Sequence, residues 1–297
     1  MLTEPLSSFD AWVQYLSQVD IPVLRRTNEE MARLQAAEDE ITGHDIARAL
    51  LHDPLMTLKV LRFLQDRRRQ SQHTDVTTTA HALMMVGTTP FFRHFAAQAS
   101  VEDRLRDEPV ALAGLMRVMS RAYHAAIYAR DWATLRHDIE VDEICSAALL
   151  HDTAEMLLWF TAPRLAIEIR ERQARDPGLR SADAQRQVLG FPLQELELAL
   201  AREWKLPALL ATLVDDRHAN EPRTRTVKLA VSLARHSADG WRDAALPDDY
   251  KAITELLHMS PADARLHLLR STLFAAQGAS WYGWPPAARW LPLLDTA

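Results

Sequence analysis

Residues 141–160 read VDEICSAALLHDTAEMLLWF, and this stretch decides the fold class. It is the most apolar segment of the chain, and its apolar residues follow a helical period rather than strict alternation. We therefore predict one buried helix over Val141–Phe160. The pair His151-Asp152 lies in the middle of it, where a carboxylate is costly to bury unless it is hydrogen-bonded, paired with a cation or bound to a metal.

Helical patterns recur along most of the remaining chain. Glycine is scarce, at 8 of 297 residues, whereas turn-rich sheet proteins usually need more. We predict that Thr42 caps a helix over Gly43–His52, that Pro54 begins the next one, and that Ser260-Pro261 begins a helix near the C-terminus. Further predicted helices cover Val76–Val86, Phe91–Leu105 and Val110–Trp132. The sequence thus predicts an all-α protein without a sheet.

The charge and the cysteine content exclude several classes of function. A net charge of −6 gives no sign of a polyanionic partner, and the basic cluster Arg67-Arg68-Arg69 is short, so we expect no binding to nucleic acid. The single cysteine, Cys145, excludes an internal disulfide and is typical of a reducing cytosol. No apolar run approaches the ~20 residues that span a bilayer. We expect a cytoplasmic protein that does not enter the membrane.

His-Asp pairs occur four times, and the pair at His151-Asp152 is the best candidate for chemistry because it follows an apolar run. A helical metallohydrolase site combines such a pair with a His from an upstream helix and with a later Asp, so that a divalent cation can activate water. His124 and His218 are the residues that could complete a metal site here. The simpler interpretation is that His151 and Asp152 hydrogen-bond to neighbouring helices inside the core.

Several blocks resemble one family. Ala147–Glu155, AALLHDTAE, resembles the GLLHDIGK motif of HD-type phosphohydrolases and of their relatives, the HDOD domains. Residues 46–62 and 76–87 resemble two N-terminal HDOD blocks, and residues 204–207, WKLP, resemble a later W-x-L-P element. Arg217-His218 falls where the family often has a His pair. By the order of these blocks, the chain over residues 14–240 resembles an HDOD domain.

The departures from the family pattern indicate that the hydrolase centre has been lost. The resemblance places Met119 at the first His ligand, Leu193 at a later His, and Val231-Ser232 at the last acidic ligand. Ala154 and Glu155 replace Gly and Lys of the motif. Only His151 and Asp152 therefore remain of the expected ligands. We predict no catalytic residues, no metal and no cofactor, with His151 and Asp152 as vestigial ligands and His124 and His218 as less favoured ones.

The resemblance also implies an architecture. We expect two helical lobes, an HDOD-like N-terminal lobe over residues 1–107 and a degenerate HD-like lobe over residues 108–240. A C-terminal helical extension covers residues 241–297. The extension ends in a Trp-rich segment, which either forms an interface or covers the protein's own core.

By resemblance, the function is that of a bacterial regulatory module that is not an enzyme and binds signalling proteins in trans, in two-component or cyclic-dinucleotide pathways. Two alternatives remain open at this point, namely a metal-dependent phosphohydrolase of nucleotides or cyclic dinucleotides and a nucleotide-binding sensor without turnover. A DNA-binding regulator is disfavoured by the negative charge. The candidate interaction or pocket residues are His151, Asp152, Glu155, His218 and Trp204. The oligomeric state does not follow from the sequence.

Overall fold

The computed structural model describes residues 1–67, 77–176 and 178–291. Within these residues the protein is all-α, which confirms the predicted fold class, and β-type pairing is limited to an isolated parallel bridge between Val23 and Ser100. Arg68 and Arg69 of the basic cluster, and Val76 at the start of a predicted helix, lie outside the described residues.

Among the described residues the helices are short apart from α8, and three short 3-10 segments accompany them. In chain order the helices are α1 (Phe9–Ser17), α2 (Arg25–Ala36), α3 (Gly43–Leu50), α4 (Pro54–Arg67), α5 (Thr79–Val86), α6 (Thr88–Phe95), α7 (Val101–Arg104), α8 (Pro109–Leu135), α9 (Val141–Leu150), α10 (Thr153–Thr161), α11 (Pro163–Arg175), α12 (Ser181–Leu189), α13 (Leu193–Glu203), α14 (Ala208–Val214), α15 (Pro222–His236), α16 (Leu246–Leu257) and α17 (Pro261–Ala276). The 3-10 segments are Asp216–His218, Ala279–Trp281 and Ala287–Trp290.

The chain divides into two compact units, each made of two separate segments. Unit 1 contains Met1–Val118 and Asp152–Ala211, and unit 2 contains Met119–His151 and Thr212–Ala297. The predicted division into residues 1–107, 108–240 and 241–297 stays a prediction.

Local capping explains where several helices of unit 1 begin. Thr42 caps α3, as predicted, because its N–H and its hydroxyl both donate to the carboxylate of Asp45 at 2.9 and 2.8 Å. Pro54 begins α4, also as predicted, and the preceding Asp53 accepts the N–H of Met56 at 2.9 Å. These starts follow from residues that are neighbours in sequence.

The core of unit 1 is formed by buried apolar side chains and by packing between its helices. Around α2 to α6, buried apolar side chains form one cluster that includes Met31, Ile46, Phe91 and Phe92. Elsewhere in the unit, α1 packs against α13, and α10 packs against α11 and α13. Gly114 of α8 lies against the indole of Trp159, and a Cβ atom at residue 114 would approach that ring to 2.3 Å.

Unit 2 is organised around α15, which packs against α9 and α16. The second part of α8 carries Tyr128, whose ring stacks on Trp132 with 6.0 Å between centroids and whose hydroxyl lies 3.0 Å from Thr272 Oγ1 of α17. Ser260 accepts the N–H of Asp263 at 3.2 Å and caps α17, as predicted. Cys145 is a buried free thiol of α9.

The Trp-rich C-terminal segment is partly used for packing within unit 2. Tyr282 is buried, with its ring centroid 6.1 Å from that of Tyr123. Ala287 is also buried, and its carbonyl accepts the indole N–H of Trp241 at 3.0 Å. Trp290 differs from them because 42 % of its surface stays exposed.

Two predicted helices are wrong in extent. Val141–Phe160 is not one helix, because α9 ends at Leu150 and α10 begins at Thr153. Phe91–Leu105 is also interrupted between α6 and α7. In that interval the backbone bonds to Val23 instead of within a helix. The Val23 N–H donates to the Ala99 carbonyl at 2.9 Å, and the Val23 carbonyl accepts the Val101 N–H at 2.8 Å. Val110–Trp132 lies within α8, which confirms that prediction.

No helix among the described residues combines the length and the apolar character that crossing a bilayer requires.

Candidate functional site

His151 and Asp152 lie at the break between α9 and α10. His151 follows the last turn of α9 and is partly exposed, whereas Asp152 immediately precedes α10 and is 9 % exposed. The backbone of Asp152, with φ −103° and ψ 26°, departs from helical values and interrupts the i→i−4 hydrogen bonds. The boundary between the two units falls between these residues, so that the carboxylate belongs to unit 1 and the imidazole to unit 2.

Glu197 of α13 accepts the hydrogen bond of a backbone N–H that the break between α9 and α10 leaves without its helical acceptor. In a continuous helix the N–H of Ala154 would donate to the carbonyl of Leu150. Here it donates to Glu197 Oε2 at 2.5 Å, and the Glu197 side chain is buried. The carboxyl of Glu197 therefore caps the N-terminus of α10 from a different helix.

The pKa of Glu197 is raised well above its ordinary value, first because the carboxyl is buried and second because the charge of Asp152 is near. The N–H of Ala154 acts in the opposite direction but does not offset the burial. A protonated, neutral carboxyl is thereby favoured at this position.

Sequence reasoning missed Glu197, although a signal was present. The buried face of α13 carries Leu193, Leu196, Glu197, Leu200 and Ala201, which recur at helical spacing. One acidic residue at a core position of such a face needs a partner, which here is the N–H of Ala154. The pattern indicated a buried acid, but the identity of its partner depends on the tertiary fold.

His124 of α8 is buried, and its Nδ1 lies 2.8 Å from the carbonyl oxygen of Ser120 one turn earlier. Because a carbonyl only accepts, Nδ1 carries the proton. Burial lowers the pKa of His124, which favours the neutral ring. Its Nε2 is then a bare acceptor, and it has no hydrogen-bond partner among the residues that the structure describes.

His218 is directed to a different partner. It ends the 3-10 segment Asp216–His218, its side chain is 41 % exposed, and its Nδ1 lies 2.8 Å from Glu221 Oε1 at the start of α15. Such an exposed pair contributes little to stability. His218 therefore contributes a hydrogen bond within the turn before α15.

Among the described residues, His151 and Asp152 are not joined by further side chains that could complete a metal site. Within residues 1–67, 77–176 and 178–291, no group of three or more His, Cys, Asp or Glu side chains is arranged to hold a metal ion. His151 and Asp152 alone would leave most of the coordination to water, whereas activation of water requires fixed protein ligands. Met119 is fully buried in α8, and its thioether is a poor ligand for hard cations.

Trp204 anchors the C-terminal end of α13. Its indole N–H donates to the Ser17 carbonyl at 3.2 Å, and the guanidinium of Arg62 lies 4.6 Å from its ring centroid. Trp204 is 6 % exposed, so it presents little surface to a partner, whereas Glu155 of α10 is partly exposed.

The segment after Trp204 closes α13 in a Schellman motif. Lys205 has φ +52°, its N–H donates to the Arg202 carbonyl at 3.0 Å, and the Leu206 N–H donates to the Ala201 carbonyl at 2.8 Å. Residues 204–207, the W-x-L-P element, thus form the segment that ends α13.

Comparisons with known proteins agree with this architecture. The crystal structure of the MmoQ response regulator from Methylococcus capsulatus str. Bath has a TM-score of 0.62 at 21% identity, with 85% of this chain and 99% of that chain covered. The crystal structure of a virulence factor from Campylobacter jejuni subsp. jejuni has a TM-score of 0.65 at 17% identity, with 96% and 99% covered. At such identities the likeness concerns the fold alone. A comparison with curated proteins found no match.

The sequence model of the HDOD domain matches residues 21–220, which is more than half of the chain. It spans the α9–α10 junction, α13 and the terminus after Trp204. The protein therefore belongs to the HDOD domain family.

Proposed function

We propose that this protein is a non-catalytic module of bacterial signal transduction, which binds signalling proteins in trans in the cytoplasm. The partners would belong to two-component or cyclic-dinucleotide pathways. The response regulator among the structural neighbours is in keeping with this proposal by its name, although its likeness to this chain concerns the fold.

The observation that carries the proposal is the state of the HD-like remnant. The N–H of Ala154, two residues after the motif Asp, is bound by Glu197, and the Nδ1 proton of His124 is bound within its own helix. No third ligand joins His151 and Asp152 in the described part of the chain. These contacts support an architectural role for the motif rather than the activation of water.

Metal analysis tests the non-catalytic part of the proposal. Purified protein, incubated with Mn²⁺ or Fe²⁺ and then desalted, should retain far less than one ion per chain. The change His151→Ala should not alter that content. A near-stoichiometric ion that His151→Ala removes, together with hydrolysis of a nucleotide or cyclic dinucleotide, would instead establish the phosphohydrolase.

Binding of a defined partner tests the other part. A signalling protein captured from the native host would be purified and titrated against the full chain. Glu155→Arg should weaken this complex about tenfold or more, because Glu155 is a partly exposed candidate contact on α10. Glu195→Arg, which changes an exposed acid of α13, is the matched control and should leave the affinity unchanged. If both variants bind the partner with the affinity of the natural protein, Glu155 is not part of the interface. If the purified proteins form no direct complex, the proposal is refuted.

A further inference from the structure

Unit 2 contains a cavity of about 610 Å³ where the loop after α15 meets the C-terminal 3-10 segment Ala287–Trp290. This volume lies within the range of about 300–1,000 Å³ that small-molecule sites occupy. Its lining combines two indoles with charged groups, and the side chains concerned are Trp241, Trp290, His236, Arg242, Asp239 and Asp243. The HD-like remnant contributes none of these residues.

Two of the lining groups are held in place by the protein. Trp241 donates its indole N–H to the Ala287 carbonyl at 3.0 Å, which fixes the orientation of that ring. His236 Nδ1 lies 2.6 Å from Asp249 Oδ2, and Asp249 is 7 % exposed. The buried carboxylate therefore orients the imidazole at the cavity wall.

Trp290 offers a large aromatic surface beside the cavity. It is 42 % exposed, and the guanidinium of Arg289 lies 5.1 Å from its ring centroid. This cation–π contact adds positive charge next to the cavity. Exposed indoles of this kind are suited to stacking with planar rings.

The charged lining groups differ in whether they have hydrogen-bond or ion-pair partners among the described residues. Asp243 accepts the N–H of Ala245 at 2.9 Å, and Asp239 also has a partner within the chain. Arg242 is exposed and makes no hydrogen bond or ion pair with any residue that the structure describes. A guanidinium is the side chain best matched to the two oxygens of a carboxylate or phosphate.

We propose that this cavity binds a small anionic ligand with a planar aromatic ring, in which Arg242 holds the carboxylate or phosphate and the indoles of Trp241 and Trp290 hold the ring. Free nucleotides and aromatic carboxylates share this chemistry. The site is independent of the proposed protein-binding role, because it involves neither Glu155 nor the HD-like remnant.

Calorimetric titration of the full chain tests the proposal with probes that separate charge from ring. AMP and GMP represent the nucleotides, and indole-3-acetate represents the aromatic carboxylates. Adenosine lacks the charge, inorganic phosphate lacks the ring, and tryptamine carries the opposite charge. We expect at least one of the anionic aromatic probes to bind, and to bind about tenfold or more tightly than adenosine, phosphate or tryptamine.

Variants then locate the site. Arg242→Ala and Trp290→Ala should each weaken the bound probe about tenfold or more, because they remove the anion contact and one ring contact. Both residues are exposed, so these changes spare the core. Arg270→Ala, on an exposed position of α17 outside the cavity, should leave the affinity unchanged. Absence of heat with every anionic aromatic probe, tighter binding of tryptamine, or unaltered binding by Arg242→Ala would each overturn the proposal.

Discussion

The hydroxyl of Thr27 donates to the buried carboxylate of Asp53 at 2.6 Å, and this contact joins the first turn of α2 to the start of α4. The same Asp53 Oδ2 accepts the Leu24 N–H at 2.8 Å, while Oδ1 accepts the Met56 N–H at 2.9 Å. One fully buried acid therefore satisfies backbone donors at two helix termini.

Replacing Asp53 should be strongly destabilising. Asp53→Ala leaves these buried donors without an acceptor, so we expect it to lower the free energy of unfolding by about 3 kcal/mol or more. Asp53→Asn keeps one acceptor oxygen and should lose less. The measurement is urea denaturation followed by circular dichroism.

Asp45→Ala provides the matched control, because Asp45 also accepts an N–H and a hydroxyl from one residue, Thr42, but at an exposed site. Its loss should cost about 1 kcal/mol. Equal losses at the two positions would show that burial of Asp53 adds nothing.

Glu197 makes a second prediction, about the α9–α10 junction. Glu197→Ala removes the acceptor of the Ala154 N–H inside the core and should cost about 2–4 kcal/mol. Glu197→Gln keeps a carbonyl oxygen in a neutral side chain and should cost less than about 1 kcal/mol, because burial already favours the neutral acid. The unfolding midpoints of the two variants measure this difference. If the Gln variant is as unstable as the Ala variant, a neutral side chain at residue 197 does not serve as the acceptor of the Ala154 N–H.

The pair His236–Asp249 predicts a pH dependence of stability. The hydrogen bond to Asp249 raises the pKa of His236 above its ordinary value of 6.5, which outweighs the effect of burial, and Asp243 adds to the increase while Arg235 opposes it. Folding therefore favours the protonated ring. This stabilisation is fully present below the unfolded pKa and is lost as the pH rises through the folded pKa.

Thermal unfolding across neutral pH measures this effect. The natural protein should lose a few tenths to about 1 kcal/mol as the pH rises, as is usual for a partly exposed pair. Asp249→Asn removes the charge that raises the pKa of His236 and should flatten the profile in this range. An unchanged slope in that variant would contradict the assignment.

Lys205 offers a stabilising change. The backbone of Lys205, at φ +52°, is in the left-handed region, where glycine is favoured. Lys205→Gly should therefore stabilise the protein by about 0.5–1 kcal/mol, a figure that already includes the larger entropy that glycine gives the unfolded chain. Lys205→Ala removes the same charge but keeps the Cβ atom, and it should bring no gain. Chemical denaturation compares them, and equal stabilities of the Gly and Ala variants would exclude relief of strain.

Features that depend on neighbouring residues could be predicted from the sequence. The caps at Thr42 and Ser260, the start at Pro54 and the length of α8 all follow from local composition. The family could be identified as well, because its blocks keep their order along the chain.

The break after Leu150 could not be predicted, because its stabilising acceptor, Glu197, lies 43 residues beyond the N–H of Ala154. The local sequence is apolar and helix-forming on both sides of the break, so a continuous helix was the natural expectation. The indoles beside Arg242 are likewise brought together by tertiary structure, since Trp241 and Trp290 are far apart in sequence.

The chain passes from one unit to the other after Val118, after His151 and after Ala211. Neither unit therefore corresponds to one continuous piece of the gene. A truncation or fusion at a single point inside this region would carry fragments of both, and recombination could not exchange one unit by a single crossover. Each unit can be exchanged as a whole only if the chain is joined anew at all three junctions, after Val118, after His151 and after Ala211.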